Sequence, residues 1–431
     1  MKKIRALLGE NLLLKITSLN ALVIVMRLII SLFVQRVLAI NVGEAGISKI
    51  GQLRNLTQIL TGLTSLGTFN GVVKYVAEFK NDVKTLKDVF NTVFVFWIVG
   101  TTISSIVIVL NAGWIAIKLF GNHDFISVIY ILGVIPFVIG ANRIFHGVVN
   151  GLSEYKKYAK IDFYGYLLSV VVLIGGLYYF NLKGVLIAIV ITPIIQLLIV
   201  FVVFGSILKK YITFKSLSLK VPYLNPFMGF MVMSLVSSVL LNYIEIDIRT
   251  VITNKINIEE AGYWTAVNFI SKNYMAFSSG IFSLYVIPKF ATIYSKTGFK
   301  NEVLTIYKTL LPVFGLGMLL VYVFRYLVID IIYPNFTGMA PLFKWQLFGD
   351  FIRLASLVIA HQFLAKRMVK SFVFSELVSL GSFYFLSKFL VIKYGVEGVV
   401  MAHFIRYIIY LSLVVVLVGF YFRKKPHGGE I

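Results

Sequence analysis

Apolar runs of about 20 residues recur along nearly the whole chain, each long enough for a helix to cross a hydrocarbon core of roughly 30 Å. Membrane-spanning strands would instead show segments of about 10 residues with alternating polarity, and the chain has none. The pattern predicts twelve helices, at 15–40, 46–70, 90–110, 125–150, 161–180, 184–208, 227–252, 262–287, 303–327, 340–364, 371–391 and 396–420. No connection between them is long enough to fold as a domain. Any functional surface therefore lies within the helical bundle.

Composition agrees: 59% of the 431 residues are hydrophobic and 14% charged, with a mean hydropathy of +0.89. The expected fold class is an all-α polytopic membrane protein. There is no cysteine, which excludes disulfides and Cys-ligated metal or redox centres. The start, MKKIRALLGENLLLK, has basic residues but no short apolar core followed by a cleavage site, so it reads as retained and cytoplasmic.

A net charge of +23 would point to nucleic acid in a soluble chain. Here it is distributed by side. Alternate connections (KYVAEFKNDVKTLK, SEYKKYAK, KKYITFKSLSLK, PKFATIYSKTGFK, AKRMVK and the final RKK), with Lys2, Lys3 and Arg5, hold 23 Lys or Arg. The other side holds Lys118, Lys183, Lys255 and Lys393. Cytoplasmic loops collect cations in this way, so both termini are expected in the cytoplasm, the span count is even, and no nucleic-acid partner is expected.

The chain also echoes itself. Gly43-Glu44-Ala45-Gly46 returns 216 positions later as Glu259-Glu260-Ala261-Gly262, Asn122 returns as Asn335 after 213, and Lys183-Gly184-Val185 as Glu397-Gly398-Val399 after 214. Three echoes in order imply duplication of a six-span unit. Six being even, the copies are parallel, related by an axis along the membrane normal. The expected lobes are 1–210 and 226–431, joined by a basic cytoplasmic linker at 211–225, with the substrate pathway where such repeats meet.

Ionisable groups at bilayer depth are costly and are kept where they face a cavity or a partner. Arg54, Gln58, Thr61 and Ser65 share one helical face, as do Asn20, Arg27 and Ser31. Asn268, Lys272, Ser279 and Ser283 form a third stripe; Gln346, Asp350 and Arg353 a fourth; and Asn142, Arg143 and His146 add to the set. Arg27, Arg54 and Lys272 have no acidic neighbour on their own faces. Together these residues read as a cationic, hydroxyl- and amide-lined site for an anion rich in hydroxyl groups. Other charges have blander readings. Lys15, Arg36, Lys344 and Lys388 lie near span ends, where long side chains snorkel. Asp350 with Arg353, and Glu245 with Arg249, are spaced to neutralise each other as readily as to serve a site. His146, His361 and His403 read as packed or interfacial, and no metal-ligand spacing occurs.

The runs GEAGISKIGQLRNLTQILTGLTSLGTFNGVVKYVAEF and PLFKWQLFGDFIR resemble the O-antigen and enterobacterial-common-antigen (lipid III) flippases. These form part of the polysaccharide-transporter family, within the multidrug/oligosaccharidyl-lipid/polysaccharide exporter superfamily. The similarity is strongest over about residues 15–80 and 335–410. It implies transfer of an undecaprenyl-pyrophosphate-linked oligosaccharide across the bacterial inner membrane by alternating access through a basic cavity. Carried onto this chain, it places Arg27, Lys49, Arg54 and Lys74 at basic positions of the family pattern and Asp350 on its GD step. Lys272 and Arg353 are assigned from spacing alone. A polymerase and a chain-length regulator of the same glycan pathway are the implied protein partners. No cofactor is expected beyond a coupling ion, H+ or Na+, acting through Glu245, Asp247 or Asp350. GxxxxGK[ST], the ATP-binding motif, does not occur.

Three other functions fit less well. A multidrug/cation antiporter of the same superfamily needs an anionic cavity. A peptidoglycan lipid II flippase usually carries two further spans. A membrane glycosyltransferase or ligase needs a carboxylate-bearing outer loop, and NVGEAG, NLKG, NKINIEEAG and KYGVEG are too short for that.

Because the chain is free of cysteine, its sidedness is directly measurable. A single cysteine at Lys157, Lys300 or Lys370 should react with an impermeant maleimide in inverted vesicles only, and one at Lys183 or Lys393 in intact cells only. The reverse pattern would overturn the orientation.

Overall fold

The structure, a computed structural model, describes residues 12–212 and 218–424, without the side chains of 12–22, 24, 83, 279, 280, 283, 284 and 424. Lys2, Lys3 and Arg5, and the side chains of Lys15, Asn20, Ser279 and Ser283, lie outside the described residues. The described chain consists of helices and their connections, with no strand. In order these are α1 (Leu12–Thr64), α2 (Thr68–Phe79), α3 (Val83–Leu110), α4 (Ala112–Phe120), α5 (Ile126–Val134), α6 (Pro136–Gly151) and α7 (Tyr155–Tyr211), followed by α8 (Leu224–Lys255), α9 (Ile258–Ile281), α10 (Ile287–Thr292), α11 (Lys296–Val323), α12 (Arg325–Ile332), α13 (Leu342–Ala365) and α14 (Val369–Lys424).

Seven of these helices are long and apolar enough to cross a membrane, or eight if α5 and α6, bent by 49° at Pro136, form one span. That makes the chain a multi-pass membrane protein. Three helices are too long for a single crossing. At 1.5 Å per residue the 57 residues of α7 would run to about 85 Å. Each is broken once: α1 at Gly43, α7 at Phe180–Asn181 and α14 at Gly395. The connections expected as loops at NVGEAG, NLKG and KYGVEG are thus single reversals within otherwise continuous helix. In α7 the chain folds back so closely that a Cβ built on Gly184 would lie 1.9 Å from the Gly176 carbonyl oxygen. In α14, one on Gly398 would lie 2.3 Å from that of Leu390.

The repeat is written in the backbone. Left-handed residues occur at Gly121, Ser153 and Asn181, and again at Asn335, Arg367 and Gly395. Every pair is separated by 214 positions. Helix α3 and its counterpart α11 are both 28 residues long, and α7 and α14 are 57 and 56. Glycine and asparagine occupy most of these positions because a left-handed backbone costs other L-residues about 1–2 kcal/mol.

Other details depart from the pattern reading. The span expected at 46–70 is cut at Ser65–Gly67, where Leu66 and Gly67 are left-handed, and it resumes as α2. Much of the basic connection 74–87 is helical, and α3 starts at Val83. There Asp82 caps the helix, accepting from the Thr85 hydroxyl (2.6 Å) and N–H (3.1 Å). The hydroxyl bond is the main reason its carboxyl is held below the usual carboxylate range. Short π-helical turns, Leu235–Leu240 within α8 and Phe282–Val286 after α9, interrupt the regular winding.

Contacts divide the chain into two compact units: residues up to Asn41 with Lys49–Tyr243, and Val42–Ser48 with Ile244–Ile431. Of the segment expected as a linker at 211–225, the described residues 211–212 and 218–225 lie within the first. There Ser218 N–H donates to the Asn91 side chain (2.9 Å) and Tyr223 N–H to the Thr92 hydroxyl (3.1 Å). Just beyond, Phe227 is fully buried among Tyr75, Phe96 and Val93. In lipid such packing holds helices together through dispersion rather than through exclusion of water.

Replacing Gly184 or Gly398 with alanine should lower the thermal unfolding midpoint of the detergent-purified protein, each costing about 1–3 kcal/mol of overpacking. Gly175→Ala, whose added Cβ meets nothing within 4 Å, should leave it unchanged.

Candidate functional site

In the first unit, one stripe of α7 organises the polar residues. Tyr158, Asp162 and Tyr166 follow at i, i+4 and i+8 and so share a face. Arg27, on the first half of α1, donates a charge-assisted hydrogen bond to Asp162 Oδ2. Its guanidinium also lies over the Tyr166 ring, 4.9 Å from the centroid. Tyr166 feels the charges of both Arg27 and Arg54. Tyr158 lies in the fields of Asp162, Arg143 and Arg27, and its ring meets that of His146 edge-on at 5.9 Å. Arg143 covers Phe69 at 3.9 Å. Asn142, one residue earlier, turns inward and donates to Gln196 (2.9 Å). Arg27 thus holds Asp162 directly, while Arg54 and Arg143 act on the tyrosines that flank it.

The other first-unit candidates are placed differently. Gln58 is exposed, and Lys49 lies over the Phe125 ring at 5.2 Å. Lys74 sits on α2, 3.9 Å from Glu78 and over Tyr75. The hydroxyls of Thr61 and Ser65 donate to the carbonyls of Thr57 and Thr61, one turn back in their own helix.

In the second unit Asp350 is completely buried. Its carboxylate accepts from Ser271 (2.5 Å), Tyr274, Gln346 (3.2 Å) and His403 (3.0 Å), with Arg353 at 3.9 Å. The stripe of Gln346 and Asp350, expected to line a cavity, instead forms a closed polar core, and only Arg353 reaches the surface. Glu245 accepts from Lys272 (2.7 Å), and Asp247 pairs with Lys388 (2.8 Å), which also donates to Tyr384. Arg249 donates to Thr265 and lies over Trp264, with Glu245 close enough to act on it. Lys388 is therefore held in a specific pair rather than merely snorkelling.

Arg27 and Lys272 have no acidic neighbour along their own helices. Their carboxylates come from other helices, 135 and 27 positions away. In the sequence Asp162 is masked by its place at the start of a span, beside the basic SEYKKYAK. The available signal was the Tyr158–Asp162–Tyr166 spacing. Ser271 and Tyr274 similarly share a face of α9 with Lys272's neighbours. Among the described residues no group of His, Asp and Glu is arranged to hold a metal ion.

The two sets of carboxylates differ energetically. Arg27 and Asp162 are each more than one-third exposed, and pairs of that kind contribute only about 0–1 kcal/mol. Removing a buried carboxylate that serves several donors leaves them unsatisfied, at a cost of about 3–5 kcal/mol. Asp350→Ala should therefore lower the unfolding midpoint sharply, and Asp162→Asn should barely move it. Thermal unfolding in detergent compares the two, and equal shifts would contradict the distinction.

Comparison with known proteins follows the same lines. Residues 55–337 match the model of a family described as polysaccharide biosynthesis proteins. The chain is 28% identical over 398 residues to the lipid III flippase of Escherichia coli (strain K12), covering 89% of this chain and 92% of that protein. It matches the lipid III flippase of Shigella flexneri to the same extent. Among solved structures, an inward-facing multidrug resistance MATE family transporter of the MOP superfamily superposes with a TM-score of 0.73 at 13% identity, over 94% of this chain and 98% of that one. The lipid II flippase MurJ, in an inward closed conformation, gives 0.71 at 15% identity, over 93% and 87%. At such identities the structural likeness is one of fold. The family match spans well over half of the sequence, and the chain belongs to the polysaccharide biosynthesis protein family, with the fold of MOP-superfamily transporters.

Proposed function

We propose that the protein is a flippase that carries an undecaprenyl-pyrophosphate-linked oligosaccharide, an O-antigen unit or related surface glycan, from the cytoplasmic to the outer leaflet of the bacterial inner membrane. The observation that carries this reading is the 28% identity to a lipid III flippase along nearly the full length of both chains. Such a protein is a transporter rather than an enzyme: its cargo crosses with every covalent bond intact.

The physical task is to move a diphosphate and many hydroxyl groups through hydrocarbon, where an isolated charge costs several kcal/mol or more. Arginine and lysine side chains replace the water lost by the phosphates through charge-assisted hydrogen bonds. In this reading Arg27, Lys49, Arg54, Gln58, Lys74 and Arg143 serve the cargo from the first unit, and Lys272 and Arg353 from the second. On the same reading the chain crosses the membrane twelve times, with both termini cytoplasmic, and works by alternating access. Energy comes from exchange with H+ or Na+ through Asp350, Glu245 or Asp247, or from removal of the glycan by a downstream polymerase and its chain-length regulator.

In a flippase-null strain, Arg54→Ala should abolish surface-glycan assembly while the protein stays in the membrane at the parental amount. Glycan display and immunoblotting of membranes read this out. Parental glycan levels in that strain would overturn the assignment.

A further inference from the structure

We infer that Asp162 is an internal competitor for the anion site of the first unit, holding Arg27 until a diphosphate displaces it. The inference rests on the flippase reading for the nature of the cargo. The chemistry required is only that of a diphosphate group.

Arg27 is one of the cations that the sequence pattern sets apart as an anion ligand, yet its guanidinium is already bonded to a carboxylate. Both partners are more than one-third exposed, so an incoming anion reaches either of them. The groups that feel Asp162 are Arg27 from α1, His146 from α6 and Tyr158 from its own helix, and Arg143 acts on the last two. Arg54 acts on Tyr166 from the second half of α1. Two further guanidiniums therefore act on the side chains that flank the Arg27–Asp162 pair.

A monophosphate or chloride that takes Arg27 exchanges one ionic partner for another and frees a carboxylate to repel it, so its net gain is small. A diphosphate offers oxygens on two phosphorus atoms and engages a second guanidinium at the same time. A single carboxylate cannot make that second contact. Asp162 thus filters for diphosphate against smaller anions, because selectivity is a difference between affinities. When the cargo leaves, Asp162 takes Arg27 back, which keeps the site from becoming a trap.

The test is direct binding to the purified full-length protein. The parent, Asp162→Asn, Asp162→Glu and Arg27→Gln are titrated calorimetrically with inorganic pyrophosphate, inorganic phosphate and farnesyl pyrophosphate, after thermal unfolding shows each to be folded. Asp162→Asn should bind pyrophosphate about tenfold more tightly and discriminate less against phosphate, a change expected when a close opposing charge is removed. Asp162→Glu, which restores the competitor, should return near to parental affinity, and Arg27→Gln should weaken binding. Unchanged or weaker binding by Asp162→Asn overturns the inference, as does the absence of pyrophosphate binding in every protein. Farnesyl pyrophosphate following the same order supports a lipid-borne diphosphate; failure to follow it overturns that assignment. Because binding is read without transport, the two ideas fail separately. A tenfold gain here, alongside parental glycan in the Arg54→Ala strain, would uphold the competitor and sink the flippase reading.

Discussion

A charge inside hydrocarbon must be met by an opposite charge, by hydrogen-bond donors or by water, and this constraint governs where the helices of this protein can lie. Arg27 and Asp162 join the first helix to α7, Glu245 and Lys272 join α8 to α9, and Asp247 and Lys388 join α8 to α14. Each pair does two things at once. It meets a charge with its opposite, and it draws that opposite from a different helix, so that each tie crosses between two helices. Asp350 goes further, collecting donors from three helices and so setting the register of α9, α13 and α14 together.

The apolar framework supplies the complement. Single left-handed residues turn long helices back on themselves, and glycines let the returning strands of helix approach within backbone contact. Because these turns recur at one spacing, both copies of the duplicated unit place their polar residues on comparable helices, while the chemistry has diverged. An exposed arginine–carboxylate pair distinguishes the first unit. A closed carboxylate core distinguishes the second.

Much of this was legible in the sequence. Hydropathy gave the membrane class, because it depends on residues close together in the chain, and the left-handed residues recur at nearly the spacing of the GEAG and KGV echoes. The runs resembling polysaccharide flippases named the family that the full-length comparison bears out. The pairing of the charges was not legible. Whether Arg27 meets Asp162, or Lys272 meets Glu245, depends on which helices become neighbours, and no periodicity along one helix encodes that. The same blindness made Asp350 look like a cavity residue, since a helical stripe of polar positions looks the same whether it faces water or a nest of donors. The breaks at Gly43, Asn181 and Gly395 fall between spans expected from hydropathy; what hydropathy does not show is that one residue at positive φ suffices for each.

Helix α8 carries one last consequence. Its opening turns, with Phe227 buried in the first unit, belong to one compact body, and the residues after Tyr243 belong to the other. The internal duplication places the seam between copies near residue 225, some turns earlier. The boundary between the repeats and the boundary between the compact bodies therefore fall at different places along the chain. Cut where its sequence repeats, the chain would separate Phe227 from the side chains that bury it.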